Sequence, residues 1–343
     1  DTEEATNQAR IVAEKILDVL TQPHQLDTYS HLSTSSIGIT LFGHLQEGIE
    51  EPLKRADMAM YQAKAAGRNT FRFFDPSMHQ AIAERANLEK DLREALASHQ
   101  FRLVYQPQIN DRAESTGVEA LVRWQHPQRG PVSPADFIPL AEATGLILPL
   151  GQWVLETACT QLAAWARQPV MAHLTMAVNV SPRQFHQPEF VDQVLATLER
   201  TGANPHRLKL ELTEGMLVTD VEDVIARMMR LKHIGVGFSL DDFGMGYSSL
   251  SYLKRLPLDQ LKIDQSFVRD ILIDPNDAAI SKMVIVLAES LGLTVIAEGV
   301  ETIEQRDFLS GQGCQTYQGY LFSRPLPAAE LETFVQSRLN SQA

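Results

Sequence analysis

The amino-acid sequence predicts an α/β fold, a TIM-like (β/α)8 barrel preceded by a smaller, partial α+β unit. The chain has 343 residues, whereas a barrel of this kind takes about 250, so one smaller unit fits beside it. From Phe101 onward, short apolar strands alternate with helical stretches. Polar residues that a hydrophobic core would exclude recur near the ends of these strands. These observations together indicate a barrel with one functional mouth.

The smaller unit occupies residues 1–76 in this interpretation. Hydrophobic periodicity predicts four elements in it, namely a helix over Ala9–Leu20, an extended segment over Ser35–Phe42, a helix over Ile49–Ala66 and a strand over Thr70–Phe74. Gly67 stands where a glycine commonly ends a helix. Residues 77–98 are rich in Ala, Glu, Lys and Arg and predict a connecting helix. The barrel is then expected over residues 99–343.

Eight segments after this helix have the length and apolar content of strands. In sequence order they are FRLVYQPQI, GVEALVRW, TMAVNVS, RLKLELTE, GVGFSLDDF, QLKIDQSF, TVIAEGVE and CQTYQGYLF. A doubly wound open sheet is the alternative arrangement. Such sheets often carry a GxGxxG turn after a strand, and this sequence has no such turn. The absence of that turn and the count of eight strands favour the closed barrel.

Composition argues against several classes of function. The hydrophobic share of 44% and the charged share of 21% are typical of a soluble globular protein, and no apolar stretch reaches the roughly 18 residues needed to cross a bilayer. Cys159 and Cys314 are far apart and indicate neither a disulfide framework nor a zinc site, so a cytoplasmic location is expected. The net charge of −13 argues against binding a nucleic-acid polymer.

The polar residues near the strand ends are the candidates for a functional site. They are Glu119, Asn179, Glu211, Glu214, Asp241, Asp242, Lys262, Asp264, Glu298, Glu301 and Gln318. Because the carboxyl ends of barrel strands converge on one face, these side chains are expected around a single cleft. In RLKLELTE, the alternation of a strand places Leu210 and Leu212 on one side and Glu211 on the other, toward the barrel axis.

The adjacent pair Asp241 and Asp242 needs an explanation in physical terms. Two carboxylates about 4 Å apart repel by roughly 4 kcal/mol at an effective dielectric constant of 20. A divalent cation or protonation of one carboxylate would relieve this repulsion, and a simple loop or helix cap is the alternative interpretation of the pair. Glu119, Asn179 and Glu211 would add further oxygen donors. Such hard ligands favour Mg²⁺ or Mn²⁺ over Zn²⁺.

A site of this kind predicts hydrolysis of a phosphodiester. Two ions about 3.5–4 Å apart can polarise a phosphate and lower the pKa of a bridging water to about 7. Lys262, held charged among the carboxylates, could orient that water or stabilise negative charge on phosphate oxygen. Glu298 is the candidate to accept the proton of the water.

The segment from about Leu88 to Leu339 resembles the EAL domain, the cyclic di-GMP phosphodiesterase module of bacterial signalling. The residues that give the family its name are Glu119, Ala120 and Leu121, within EALVRW. The other matching segments, in order, are YQPQI, HPQRGPVSPADFIPLAEATGLI, NVSPRQF, LELTE, DDFGMGYSSLSYL, LKIDQSF, AEGVET and QGYLFSRPL. The resemblance implies a barrel whose first strand is antiparallel to the others. It also implies hydrolysis of cyclic di-GMP to linear pGpG.

The resemblance also implies roles for individual residues. The implied metal ligands, for two Mg²⁺ or Mn²⁺ ions, are Glu119, Asn179, Glu211, Asp241 and Asp242. The implied substrate contacts are Gln106, Leu121, Arg123, Asp264 and Glu301. Among the implied catalytic residues, Lys262 holds the attacking water and Glu298 is the general base or a ligand of the second metal. Gln318 is a further member of the active site, and Glu214 steadies the loop after the aspartate pair. Ca²⁺ is expected to inhibit, and a homodimer through the EAL domain is expected.

Two positions depart from the family pattern. Met245 replaces a small or hydroxylated residue, and Gly215 replaces a serine, both in or near the loop that the family uses for metal binding and dimer coupling. They bear on the level of activity. The N-terminal segments SIGIT and LKRADMAMYQAKAAGRNTFRFFD resemble the last half of a GGDEF domain, whose signature residues do not occur here.

Two other functions compete with the phosphodiesterase. One is a catalytically silent cyclic di-GMP receptor that acts through a protein partner. The other is an unrelated acidic barrel enzyme that acts on a different phosphorylated substrate. Silent members of such families usually lose metal ligands, and this sequence keeps all five candidates, which favours the enzyme.

Overall fold

The computed structural model describes residues 2–22, 24–26, 29–31, 33–43, 48, 50–218, 221–244 and 253–340. The described residues form two compact units, one within residues 1–90 and one within residues 91–343. The boundary between them falls inside a helix that the sequence analysis predicted. No helix in the described part of the chain combines the length and the apolar character that crossing a membrane requires.

The N-terminal unit is a small α+β arrangement. Its elements are α1 (Thr2–Leu20), β1 (His24–Leu26), β2 (Tyr29–His31), β3 (Ser36–Ile39), α2 (Glu50–Ala65), β4 (Thr70–Phe73) and the first part of α3 (Ser77–Ala97). Strands β3 and β4 pair in parallel, and β1 and β2 form an antiparallel pair that the sequence analysis missed. Gly38 lies so close to α2 that a Cβ there would come 1.9 Å from the carbonyl oxygen of Ala56. This position therefore accepts no side chain.

The second unit is the predicted closed barrel. Its strands are β5 (Phe101–Asn110), β6 (Ser115–His126), β7 (Gly130–Val132), β8 (Thr175–Val180), β9 (Leu208–Thr213), β10 (Gly237–Phe243), β11 (Gln260–Ile263), β12 (Thr294–Ala297) and β13 (Thr316–Tyr317). Among the described residues, eight strands close the barrel in the order β5, β13, β12, β11, β10, β9, β8, β6, with β6 pairing back to β5. Strand β5 is antiparallel to both of its neighbours, as the resemblance implied. Strand β7 pairs antiparallel with the last residues of β6 and lies outside the closed barrel.

Helices cover the outside of the barrel. They are α4 (Pro134–Thr144), α5 (Ile147–Trp165), α6 (Pro182–Phe185), α7 (Phe190–Thr201), α8 (Val221–His233), α9 (Gln265–Arg269), α10 (Pro275–Leu291), α11 (Ile303–Gly311) and α12 (Ala328–Asn340). Their apolar faces pack on the outer faces of the strands. The rings of Tyr105 on β5 and Trp165 on α5, for example, have centroids 5.0 Å apart. This packing fixes the barrel, and with it the side chains at the strand ends.

The last three strands are shorter than the sequence analysis predicted. The segment QLKIDQSF leaves the sheet at Ile263, because the carboxylate of Asp264 accepts a hydrogen bond from the backbone N–H of Ser266, 2.9 Å away, and caps α9. Strand β12 ends at Ala297, before Gly299, whose φ of +64° turns the chain. The polar residues that follow β12 and β13 therefore belong to loops at the barrel mouth.

Candidate active site

Lys262 on β11 lies at the centre of the candidate site, and only 1% of its surface is exposed. Its ammonium Nζ is 2.8 Å from Glu211 Oε2 and 3.2 Å from Asp241 Oδ2. The same nitrogen is 2.5 Å from Glu298 Oε1 and 3.9 Å from Glu119 Oε1. One ammonium therefore contacts carboxylates that come from three strands and from the loop after β12. The structure brings these five predicted residues together.

Strand geometry explains this convergence. Strands β8, β9 and β10 run in parallel, with Asn179 paired to Glu211 and Glu211 paired to Ser239. On β9, Leu208, Leu210 and Leu212 are buried in the helix-facing core, while Glu211 points into the barrel. The alternation read from the sequence is confirmed. Acidic side chains at one level of the barrel must therefore meet at its axis.

Glu119 is held by amides on two sides. Asn179 Nδ2 donates a hydrogen bond to Glu119 Oε1 at 2.6 Å, and Gln318 Nε2 donates one to Glu119 Oε2 at 2.5 Å. Gln318 also donates to Gln106 Oε1 and accepts from Gln108 Nε2, each at 3.2 Å. Gln108 is a member of this network that the sequence analysis missed. Its signal was present in YQPQI, where a second polar residue follows Gln106 at the spacing of one strand face.

Burial and charge act in opposite directions on Glu119 and Lys262. Burial opposes ionisation of Glu119, but the nearby Lys262 ammonium and the hydrogen bond from Gln318 outweigh it, so the pKa of Glu119 is lower than usual. Burial also opposes the charge of Lys262, but the surrounding carboxylates raise its pKa well above the ordinary value. The surrounding carboxylates therefore favour the charged form of Lys262.

The pKa values of Glu211 and Glu298 are raised, in contrast with the lowered pKa of Glu119. Burial raises the pKa of Glu211 well above its usual value, and the neighbouring carboxylates strengthen that effect against the attraction of Lys262. Burial raises the pKa of Glu298 to about 8. The carboxylates around Lys262 therefore differ in how strongly they hold a proton.

The donor set fits a hard divalent cation. Glu211 Oε1 is buried and accepts no hydrogen bond from the described residues, so it has a lone pair to offer. Glu119, Asn179 and Asp241 would supply further oxygens, and the side chain of Asp242 lies outside the described part. Among the described residues, no three His, Cys, Asp or Glu side chains surround a common point closely enough to hold an ion. The Lys262 ammonium instead lies between the carboxylates.

Glu214 connects the ends of two strands. Its Oε2 accepts a hydrogen bond of 3.3 Å from the backbone N–H of Gly244, which follows β10 directly. Glu214 itself is buried and begins a short 3-10 helix, Glu214–Val218. Gly215 is exposed, and Met245 lies outside the described residues. The contact fixes the start of the segment that follows the aspartate pair.

Cavities lined by described residues open beside the carboxylates. The first, of about 260 Å³, is lined by Gln106, Glu119, Leu121, Gln265, Glu298, Gly299, Glu301, Gln318, Gly319 and Tyr320. The second, of about 510 Å³, is mostly apolar, and its lining includes Leu121, Arg123, Ile138, Glu142, Asn179 and Gln184. Leu121 of β6 lines both cavities, so they flank the same strand.

The predicted substrate contacts differ in position. Gln106, Leu121 and Glu301 line the smaller cavity, while Arg123 lines the larger one and donates to the carbonyl oxygen of Val122 at 2.8 Å. Asp264 lines neither of these cavities and caps α9. The sequence analysis missed Tyr320, an exposed aromatic residue beside the smaller cavity.

Comparison with known proteins identifies the family of this barrel. Residues 89–325 match the EAL domain family. The chain belongs to the EAL domain family. Residues 1–70 match the diguanylate cyclase GGDEF domain family, so both resemblances drawn from the sequence are confirmed.

Two similar proteins have names that refer to cyclic di-GMP phosphodiesterase activity. The chain is 43% identical over 324 residues to the bifunctional diguanylate cyclase/cyclic di-GMP phosphodiesterase MucR of Pseudomonas aeruginosa, covering 94% of this chain and 47% of MucR. It is 41% identical over 332 residues to the cyclic di-GMP phosphodiesterase NbdA of the same organism, covering 96% of this chain and 42% of NbdA. The chain thus spans about half, or less, of the length of these relatives.

Solved structures agree with the family and the fold. The PaMucR phosphodiesterase in complex with c-di-GMP superimposes with a TM-score of 0.69 at 45% identity, covering 71% of this chain and 99% of that one. The EAL domain of Mycobacterium smegmatis DcpA superimposes with a TM-score of 0.58 at 36% identity, covering 68% of this chain and 95% of that one.

Proposed function

We propose that the EAL domain of this protein is a cyclic-guanylate-specific phosphodiesterase that hydrolyses cyclic di-GMP to linear pGpG in bacterial second-messenger signalling. The observation that carries the proposal is the cluster of Glu119, Glu211, Asp241 and Glu298 around Lys262, beside two cavities at the barrel mouth. The names of the relatives supply the substrate. Catalytically silent members of such families usually lose metal ligands, whereas this chain keeps all five candidate ligands.

Metal dependence is part of the proposal. The residues that would hold Mg²⁺ or Mn²⁺, in two positions, are Glu119, Asn179, Glu211, Asp241 and Asp242. When bound, such ions would lower the pKa of a water molecule and polarise the phosphate. Two features of this structure support metal binding. All of the candidate ligands offer oxygen atoms, and Oε1 of Glu211 accepts no hydrogen bond from the described residues.

The residues of the chain then have distinct tasks. Glu298 accepts a proton as water attacks the phosphorus atom, and the bond from phosphorus to one ester oxygen breaks. The departing oxygen takes a proton from solvent and leaves as a hydroxyl group, and Glu298 returns its own proton to solvent. The ammonium of Lys262 stabilises negative charge on the phosphate oxygens during this step. Gln318 and Asn179 hold Glu119 in place through its two oxygens. Glu214 keeps the end of β10 in position through Gly244.

The remaining residues are proposed to position the substrate. Gln106, Leu121 and Glu301 would contact it from the smaller cavity and Arg123 from the larger one. Asp264 is proposed as a further contact, although its carboxylate already caps α9. Homodimerisation through the EAL domain and a cytoplasmic location stay predictions from the sequence.

The direct test is incubation of the purified protein with cyclic di-GMP and Mg²⁺ or Mn²⁺, followed by chromatographic identification of the products. Linear pGpG is expected, and chelator should abolish its formation. Ca²⁺ has longer bonds and looser geometry, so it should support binding with little turnover. Tight binding without product in Mg²⁺ or Mn²⁺ would instead identify a catalytically silent receptor. Turnover that survives chelator would exclude the metal-dependent mechanism.

A further inference from the structure

The contacts of Lys262 raise a question about how metal could enter this site. The side chain is almost fully buried, and its ammonium lies 2.8 Å from Glu211 Oε2 and 3.2 Å from Asp241 Oδ2. Both of these oxygens belong to residues that would also bind the metal. The ammonium and the metal would therefore use the same carboxylates.

A cation offsets the negative charge of the cluster in the absence of metal. Carboxylates held this close repel one another, and the repulsion is stronger in a buried site than in water. The ammonium of Lys262 lies within 4 Å of all four carboxylates and offsets part of that repulsion. Among the described residues, no three acidic side chains are arranged so that they could hold a metal ion, and the ammonium lies between them instead.

A metal ion bound to these carboxylates would lie near the ammonium of Lys262. A Mg²⁺ ion binds carboxylate oxygen at about 2.0–2.1 Å, so an ion on Asp241 Oδ2 would lie close to an ammonium that is 3.2 Å from the same oxygen. A divalent and a monovalent cation at such a distance repel strongly. Either the ammonium moves away or the metal is bound more weakly than its ligands would allow.

We propose that Lys262 is a built-in counter-cation that competes with divalent metal for the carboxylate cluster, a role that rests on the metal-dependent function proposed above. The lysine keeps the acidic cluster compact before metal arrives and lowers metal affinity. When metal binds, repulsion moves the ammonium away from these carboxylates, toward a position where it can face the phosphate. The lysine thereby keeps the site preformed without metal, and the affinity for metal is lower than it would be without the lysine.

Lys209 on β9 provides a matched comparison. It is a partly buried lysine on the same inner strand face as Glu211, but its Nζ donates to Gln260 Oε1 at 2.9 Å. Its removal also takes away one positive charge inside the barrel. Lys209→Met therefore reports the general effect of net charge, whereas Lys262→Met reports the loss of direct contact with the carboxylates.

The experiment measures Mn²⁺ affinity and metal-free stability for the wild-type protein and both variants. Each protein is loaded with Mn²⁺ and titrated with a fluorescent chelator, so that affinity is obtained from the folded, metal-bound state. Lys262→Met is expected to bind Mn²⁺ at least about tenfold more tightly than wild type, and Lys209→Met within about threefold of wild type. In chelator, Lys262→Met should melt more than about 5 °C below wild type, because removing the ammonium leaves buried carboxylates uncompensated.

The outcomes separate the two proposals. If wild type bound no Mn²⁺, the metal-dependent function would fail, and the competition with it. If wild type bound Mn²⁺ and Lys262→Met bound it equally or more weakly, the competition alone would be wrong. A tenfold gain shared by Lys209→Met would also overturn it, because the effect would then be one of net charge. Lys262→Gln, which keeps a hydrogen-bond donor without the charge, should behave as Lys262→Met does.

Discussion

Asn179 Nδ2 and Glu119 Oε1 lie 2.6 Å apart, although the two residues are 60 positions apart in the sequence. The contact links the neighbouring parallel strands β6 and β8. Since Gln318 donates to the other oxygen of Glu119, this carboxylate cannot rotate freely. A ligand fixed in this way loses little entropy when it binds a cation, so Glu119 should contribute strongly to metal affinity.

Replacement of Glu119 by Ala should remove metal affinity and turnover together. The change deletes one candidate ligand and leaves the amides of Asn179 and Gln318 without their acceptor. We expect Mn²⁺ affinity to fall by at least about tenfold and kcat by at least about a hundredfold. Calorimetric Mn²⁺ titration and product chromatography measure the two effects. Glu289→Ala, at an exposed position on α10, is the control. Normal turnover in Glu119→Ala would exclude the assigned site.

Replacement of Gln318 by Leu should lower metal affinity, because Gln318 holds the candidate ligand Glu119 in position. Leucine has a similar size but cannot donate to Glu119 Oε2 or Gln106 Oε1. Loss of such a supporting hydrogen bond typically costs about 10–100-fold in metal affinity. We therefore expect a higher Mn²⁺ concentration for half-maximal activity, with activity recovering partly at saturating metal. Gln315→Leu, at a nearby exposed position, should leave that concentration unchanged. If kcat stayed low at every Mn²⁺ concentration, the effect of Gln318 would not act through metal affinity.

Both cysteine thiols should be unreactive in the folded protein. Cys159 and Cys314 are fully buried, and burial raises the pKa of each thiol to about 12. At pH 8 the thiolate fraction is then about a thousandfold smaller than that of a thiol with a pKa of 9. A thiol-specific chromophore such as DTNB should give little signal with native protein and two equivalents after unfolding in guanidinium chloride. Rapid labelling of native protein would show that at least one thiol is accessible.

The sequence was sufficient to predict the barrel and the convergence of its acidic residues. Strand alternation places Glu211 inward, and the parallel order of the strands brings it to the same mouth as Asp241. The position of the Lys262 ammonium between these carboxylates could not be predicted, because side-chain rotamers depend on packing across the barrel. The cap that Asp264 forms on α9 was missed for a related reason. Its motif matched a strand, and only the local hydrogen bond to Ser266 ends that strand.

Glu298 lies in the loop after β12, and its Oε1 is 2.5 Å from the Lys262 ammonium. A residue that accepts the proton of the attacking water should affect chemistry more than binding. Glu298→Ala is therefore expected to lower kcat by about 10²–10⁴-fold and to leave the affinity for cyclic di-GMP, measured in Ca²⁺, within about threefold of wild type. Glu298→Gln, which keeps the shape but cannot accept a proton, should be about as slow.

The matched control for Glu298 is Glu304→Ala, which removes an exposed carboxylate from the first turn of α11. Its kcat and its affinity for cyclic di-GMP should both equal those of wild type. A loss of cyclic di-GMP binding in Glu298→Ala that parallels the loss of rate would instead assign Glu298 to holding the substrate or a metal. An unchanged rate in Glu298→Gln would remove the residue from proton transfer, because the amide cannot act as a base while every contact that depends on shape remains.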